Sequence, residues 1–319
     1  MELAVFENFD IAVVVQASLS DYTTFRLGGT CPVLLSCQTP DQLEQAIKHC
    51  NDANIQYILI GGGSNLVVSD QGTDRYVIRF VSPKPLIERR EDDLIVSAST
   101  SLDALAKYAA ENGLAGLGCT TGIPGTVGGA IVGNAGAFGR QIGDVVKWVR
   151  VIDSQGVKKE FLRADLGFTY RNSILKTTGD IVVSARLSLK PGDRTSLLNE
   201  REQILKTRSE KHPDLSVDPC AGSFFRNIEP TSDAGKRQAA GWFLDQAGGK
   251  DLACGGAKIY PKHANIIVKS ENCRAQDVYE LSEQMKQLAK DKFDLDLVRE
   301  VRFVGKFDGM PGDITDIIW

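Results

Sequence analysis

Apolar positions recur along the chain in two registers. Leu43, Ala46, Ile47 and Cys50 fall at helical spacing behind Thr39-Pro40-Asp41-Gln42. That lead-in offers a Thr cap, a Pro at the first helical position and a Gln three residues after the cap, which predicts a helix start. Leu102, Leu105, Ala106 and Ala109 repeat the helical stripe, with Gly113 placed to end it in left-handed geometry. Val278, Leu281, Met285 and Leu288 make a third. Period-two alternation is clearest where Ile181, Val183, Ala185, Leu187 and Leu189 interleave with Val182, Ser184, Arg186, Ser188 and Lys190. That pattern predicts a strand, and Pro191-Gly192-Asp193 breaks it. Shorter apolar runs at 57–60, 66–69, 76–80, 94–98, 145–152, 157–161 and 301–306 predict further strands, with a turn at Asp153-Ser154-Gln155-Gly156. Residues 196–209 are charged and helix-favouring, and predict a connector. The order of elements is mixed α and β, without internal repeats.

Two glycine-rich runs interrupt this pattern. Residues 59–65 read Leu-Ile-Gly-Gly-Gly-Ser-Asn, and residues 122–136 read Gly-Ile-Pro-Gly-Thr-Val-Gly-Gly-Ala-Ile-Val-Gly-Asn-Ala-Gly. Glycine loses the most backbone entropy on folding, so a dense cluster needs a positive φ or a close approach that a Cβ would block. The first run follows an apolar strand but is neither GxGxxG nor a Walker loop. Taken alone, it fits a tight turn between strands equally well. Two such loops together point to a large phosphate-bearing ligand held by main-chain N–H groups.

Composition narrows the class. A chain of 319 residues has room for two or three domains. Hydrophobic content of 42% and charged content of 24% are ordinary for a globular protein. A net charge of −4 gives no argument for nucleic acid or an anionic membrane, so small-molecule partners are expected. No apolar run approaches the roughly 20 residues of a spanning helix. Glu2, Glu7 and Asp10 precede the apolar Ile11–Val15, which is wrong for a signal peptide and makes the cytoplasm the expected location. Seven scattered cysteines without CxxC predict reduced, packed thiols. His49, His212 and His263 are far apart, so no metal site is expected. No GxSxG nucleophile elbow occurs.

Six motifs then fall in order. They are Thr23-Thr24-Phe25-Arg26-Leu27-Gly28-Gly29; Gly61-Gly62-Gly63-Ser64-Asn65-Leu66; Gly122–Ala130 with Asn134-Ala135-Gly136-Ala137-Phe138-Gly139; Tyr170-Arg171-Asn172-Ser173; Ala221-Gly222-Ser223-Phe224-Phe225-Arg226-Asn227; and Glu300-Val301-Arg302-Phe303. In this order, from about residue 20 to about 306, the chain resembles the UDP-N-acetylenolpyruvoylglucosamine reductase family of peptidoglycan precursor synthesis. The resemblance implies an α+β protein. Two FAD-binding subdomains of the vanillyl-alcohol oxidase type would span 1–66 with 297–319, and 67–205. An α+β substrate domain would span 206–296. No tyrosine-loop insertion stands between Arg171 and Glu200, as in the family's shorter subtype. Gly118-Cys119-Thr120-Thr121 departs from the family's usual Glu-Phe-Leu-Ser type of run, and Gly248-Gly249-Lys250-Asp251 from Gly-x-Lys-Gly.

The resemblance implies non-covalent FAD, NADPH as co-substrate and a monomer. It assigns cofactor contacts to Arg26, Gly28, Gly61, Gly62, Gly63, Ser64, Asn65, Thr121, Gly122, Gly125, Gly128, Gly129, Asn134 and Gly136. On context alone, Arg171 is a surface arginine after a tyrosine, Ser223 a turn serine, and Glu300 the solvent-facing residue of an apolar strand, 298–304. By resemblance they become catalytic. Arg171 and Glu300 would stabilise an enolate, and Ser223 would protonate its inner carbon. Arg302 shares a strand face with Glu300 by period two. Tyr170, Lys211, Asn227, His263 and Arg302 would contact substrate. A related FAD oxidase that uses oxygen, and a nucleotide-binding module without redox activity, are the competing classes.

Overall fold

Thr39 opens the first long helix, Pro40–Asp52, as the sequence predicts. Its hydroxyl accepts from Gln42 N, and the Gln42 amide reaches back to the Thr39 N–H. The structure, a computed structural model, describes residues 3–229 and 237–310. The outer ends of the expected domain segments, 1–2 and 311–319, lie outside the described residues.

Leu43, Ala46, Ile47 and Cys50 of that helix are buried against a four-stranded sheet. Its order is Ala12–Ser18, Thr30–Cys37, Tyr76–Phe80, Tyr57–Ile60. The first pair is antiparallel and the other two are parallel. A second, wholly antiparallel sheet runs Lys158–Leu162, Val146–Ile152, Ile181–Ser188, Asp93–Ser97, Ile87–Arg90. The predicted alternation in Ile181–Ser188 holds except at Val182, which is buried too. A register irregularity opposite it, between Arg150 and Val151, accounts for the exception. One apolar cluster joins both sheets, from Phe6 to Leu189.

The third unit packs the antiparallel strands Ala253–Cys254, Ala257–Tyr260 and His263–Lys269 against the helix Ala275–Phe293. Val278, Leu281 and Met285 are buried as the stripe predicts, whereas Leu288 is only half-buried and Ala289 takes the inner position. Phe224, Phe225 and Phe303 share this core with Phe25, Leu27 and Val67 from the N-terminal part of the chain. The connector Arg194–Lys211 is helical, capped by Asp193, and buries no residue fully.

The predicted final strand is shorter than expected. Only Arg302–Val304 pairs as a strand, in parallel with Leu66–Val68. Glu300 therefore precedes the strand instead of lying within it. Its N–H donates to Phe224 O at 2.8 Å, and Arg302 N donates to Asn65 O at 3.0 Å. The strands Ala12–Ser18, Thr30–Cys37 and His263–Lys269 and the short helices Val127–Val132 and Ala240–Gln246 have no counterpart in the sequence reading. Among the described residues, no helix is long and apolar enough to cross a membrane. The seven cysteines are free thiols, five buried and two half-buried.

Candidate active site

The two glycine loops meet each other. Ser64 Oγ donates to Pro124 O at 3.0 Å. A Cβ at Gly61 would lie 2.5 Å from Thr126 Oγ1, and one at Gly62 would lie 3.1 Å from Gly125 Cα. Much of the glycine content thus serves loop-on-loop contact. Gly63 combines a φ of +62° with main-chain contact to Tyr22 and Thr23. Gly28 packs on Val68 and Gly128 on Ala98, while Gly136 sits against the Arg140 main chain. Asn134 is fully buried; its side-chain N–H₂ donates to Thr169 O at 2.8 Å and its Oδ1 accepts from Gly143 N at 3.0 Å. Arg26 is exposed and donates to Ser216 O at 3.4 Å. The predicted cofactor residues therefore divide into two groups. Gly61–Asn65 and Thr121–Gly129 converge on one place, whereas Gly28, Asn134 and Gly136 shape the scaffold behind it.

That place fits a pyrophosphate. Among the described residues, none accepts a hydrogen bond from the main-chain N–H of Gly62, Gly63 or Ser64. A Cβ at Gly129 would meet only Thr126 Oγ1, at 3.8 Å, so its outer side is open. Arg208 of the connector helix lies over Gly122, whose Cβ would come within 2.8 Å of Arg208 Cδ, and the buried Arg208 Nε has no partner among the described residues. Asp103 fixes this corner. It accepts from Gly122 N at 2.6 Å and takes both Arg201 guanidinium nitrogens at 2.7 Å.

Asn65 ties the first loop to the rest of the site. Its side chain donates to Ala221 O at 3.2 Å, and Thr24 Oγ1 donates to Cys220 O at 2.7 Å. The segment carrying Ser223 is thereby held beside the loop. Ser223 is half-buried, bridges to Ile266 of the neighbouring strand, and its hydroxyl bonds no described residue. On the other side, Phe224 O accepts from Glu300 N, so Ser223 and Glu300 stand on adjoining segments.

Arg171 lies at the tip of the turn Thr169–Asn172, with a φ of +53°. Its Nε is 2.9 Å from Glu300 Oε1, an ion-pair distance, although the N–H is not aligned as a hydrogen bond. Burial pushes the Glu300 carboxyl above its ordinary range, and Arg171, Lys176 and Arg226 oppose that rise. Glu300 and Arg302 line one cavity of about 480 Å³ with Lys176, Arg226, Lys286 and Arg299. Burial, then Arg226, lowers Arg302 to about 10.

Apart from Arg302, the residues predicted to contact substrate fall in two places. Tyr170 Oη accepts from Asn227 N at 3.3 Å, and the Asn227 Oδ1 accepts from Ala240 N. The His263 and His212 rings are 5.6 Å apart, with exposed Lys211 near both. Burial, then Arg208, His263 and Lys211, pushes His212 down to about 4. Sequence reasoning did not single out Lys176, Arg208, Arg226 or the Asp103–Arg201 pair. Arg226 lay inside a motif already quoted, and Arg208 one helical turn before Lys211.

Residues 213–304 match the family described as UDP-N-acetylenolpyruvoylglucosamine reductase, C-terminal domain, and residues 32–160 match an FAD binding domain. The UDP-N-acetylenolpyruvoylglucosamine reductase of Lactobacillus acidophilus is 34% identical over 96% of this chain and 99% of its own length. That of Nostoc punctiforme is 33% identical over 97% of this chain and 91% of its own. The crystal structure of the Thermus caldophilus UDP-N-acetylenolpyruvylglucosamine reductase superposes with a TM-score of 0.74 at 32% identity, covering 92% of this chain and 98% of that one. With its glycine loops, its Arg171–Glu300 pair and matches of this extent, the chain belongs to the UDP-N-acetylenolpyruvoylglucosamine reductase family.

Proposed function

We infer that the protein is an FAD-dependent, NADPH-consuming reductase that converts UDP-N-acetylglucosamine enolpyruvate to UDP-N-acetylmuramate, acting as a cytoplasmic monomer. The observation that supports this most is the convergence of the two glycine loops, the Ser223 segment and the Arg171–Glu300 pair around Asn65. Gly61–Asn65 and Thr121–Gly129 would hold FAD, with residues 1–66 and 297–319 as one cofactor subdomain and 67–205 as the other. Residues 206–296 would carry substrate. Bound FAD supplies the hydride that NADPH provides and the enolpyruvyl terminal carbon receives.

The chain's own residues handle charge and proton. An enolpyruvyl ether is an alkene conjugated to a carboxylate, so hydride at its terminal carbon leaves negative charge on the inner carbon and the carboxylate. Arg171 presents a permanently charged fork to that carboxylate. Glu300, with its raised proton affinity, shares the charge. Ser223 Oγ–H gives its proton to the inner carbon, and the neighbouring cations offset its weak intrinsic acidity. Tyr170, Lys211, Asn227, His263 and Arg302 would hold the nucleotide sugar, with Arg26, Gly28, Asn134 and Gly136 supporting the cofactor lobe. Anaerobic stopped-flow absorbance tests the reading. The purified protein should carry FAD that NADPH bleaches and the enolpyruvyl sugar restores. Fast recolouring by oxygen but not by the sugar identifies an oxidase instead, and a flavin-free folded protein identifies a binding module.

A further inference from the structure

Lys176 follows the Arg171 turn in the short helix Leu175–Thr178 and is half-buried. Its Nζ donates to the Arg171 carbonyl oxygen at 2.7 Å. That bond closes on a residue whose φ is +53°, a conformation that a bulky side chain keeps only where its surroundings impose it. The same ammonium lines the cavity of about 480 Å³ together with Glu300. One group thus holds the main chain of one half of the ion pair and faces the other half. We propose that Lys176 is a positioning residue for reduction of the enolpyruvyl substrate, fixing the Arg171 turn by its hydrogen bond and placing a positive charge in the cavity beside Glu300. The proposal rests on the function inferred above.

Three cations oppose the effect of burial on Glu300: Arg171, Lys176 and Arg226. The two arginines keep their charge throughout the working range. Lys176 does not. Burial first, then Arg302, Arg226 and Arg171, lowers it to about 8, with Glu300 pulling the other way. The sign is therefore set. As pH rises through about 8, Lys176 loses its proton and the cavity that must hold the developing negative charge loses one of its positive charges. The hydrogen bond to Arg171 weakens in the same step, because a neutral amine is a poorer donor than an ammonium. The Arg171–Glu300 arrangement carries its own alkaline limit, and that limit belongs to a lysine outside the ion pair.

Stopped-flow absorbance from about pH 6 to about pH 9.5, each half-reaction followed separately, tests this on the flavin-loaded enzyme. In the wild type, reoxidation by the enolpyruvyl sugar should fall with an apparent pKa of about 8, while bleaching by NADPH should lack that limb. Lys176→Arg keeps charge and donor but does not titrate there, so it should react at close to the normal rate and lose the limb. Lys176→Met should slow reoxidation by about 10–100-fold below about pH 8, as expected for a misplaced charge stabiliser, approach the wild type above it, and leave NADPH bleaching nearly unchanged. Competitive acetylation with acetic anhydride, read by mass spectrometry, gives the ionisation of Lys176 independently of turnover. A limb that persists in both variants, or an ordinary lysine titration by acetylation, overturns the proposal. So does equal slowing of both halves with loss of flavin, which marks a folding role. If the wild-type enzyme is never reoxidised by the sugar, the functional reading fails, and the acetylation result still decides the charge of Lys176.

Discussion

Arg171 and Glu300 are half-buried, and their ion pair sits where burial raises the price of every unpaired charge. Arg171→Ala and Glu300→Ala should each keep flavin and lose about 10²–10³ in turnover, the usual cost of one preorganised stabiliser. Near-normal turnover with binding intact would return either residue to a structural role. Ser223 sits between two partners without bonding to a described residue through its hydroxyl, which leaves that hydroxyl free to act. Ser223→Ala should be bleached by NADPH at nearly the normal rate, while reoxidation by the sugar slows by about 10²–10⁴. Ser223→Cys should recover part of that loss, since a thiol donates a proton and nearly fits. Slowing confined to the NADPH half would make Ser223 a nicotinamide-positioning residue. These three residues were legible only through their motifs. Without them, Arg171 looked like a surface arginine, and nothing local shows that its turn places it 2.9 Å from Glu300. Lys176 stayed invisible because its partner is a main-chain oxygen.

At the scale of elements, the short helix Val127–Val132 offers a discriminating pair of glycines. Gly128 faces the scaffold, and a Cβ there would stand 3.0 Å from Ala98 Cβ. Gly129 faces outward, with nothing but Thr126 Oγ1 in range. Gly129→Ala should therefore leave apoprotein stability unchanged or raise it by up to about 1 kcal/mol through helix propensity. Its flavin affinity should nevertheless fall at least tenfold, measured by fluorescence titration. Unchanged affinity would remove the helix start from the cofactor site. Asp103 makes the opposite case. Arg201 and the Gly122 N–H hold its carboxyl below the ordinary range against the effect of burial. A carboxylate lowered on folding contributes stability that is complete above the unfolded value near 3.8 and is lost as pH falls through the folded one. Asp103→Asn should cost about 1–2 kcal/mol at neutral pH, given its partial exposure, and the difference from wild type should shrink below about pH 4. Periodicity showed the amphipathic helices and the alternating strand because one face of each is buried. It missed His263–Lys269, whose buried positions run unbroken from Ala264 to Val268 and give no alternation, and Thr30–Cys37, whose alternation breaks only at Leu34 but is carried by two cysteines and interrupted by Pro32, a weak strand signal. It also extended the last strand through Glu300, where the chain makes only an isolated antiparallel bridge, Phe225 with Arg299, beside the Ser223 segment.

At the scale of the whole molecule, the C-terminal core draws in residues from the N-terminal part of the chain. The larger core runs from Phe6 to Leu189 and joins both N-terminal sheets. The smaller includes Phe224, Phe225 and Phe303, yet it also contains Phe25, Leu27 and Val67. The pairing of Arg302–Val304 with Leu66–Val68 closes that junction directly behind the first glycine loop. Sequence showed both ends of this pairing as apolar runs, but a parallel contact between residues so distant leaves no local trace. The arrangement predicts that cofactor binding stabilises both cores together. A ligand at 100 times its dissociation constant adds about 2.7 kcal/mol to the folded state, which slows exchange by global unfolding about 100-fold. On adding FAD, hydrogen exchange should slow by that factor in the buried strand Thr30–Cys37 and equally in His263–Lys269. Phe303 holds the junction, stacked edge-on against Tyr279 at 5.6 Å and Phe307 at 4.9 Å. Phe303→Ala should cost about 3–5 kcal/mol, as large buried aromatics do, and should uncouple the two strands. In that variant, FAD should still protect Thr30–Cys37 while His263–Lys269 exchanges freely. Protection of His263–Lys269 that ignores FAD in the wild type would mean that the C-terminal core opens on its own and that Phe25, Leu27 and Val67 do not bind it to the cofactor lobe.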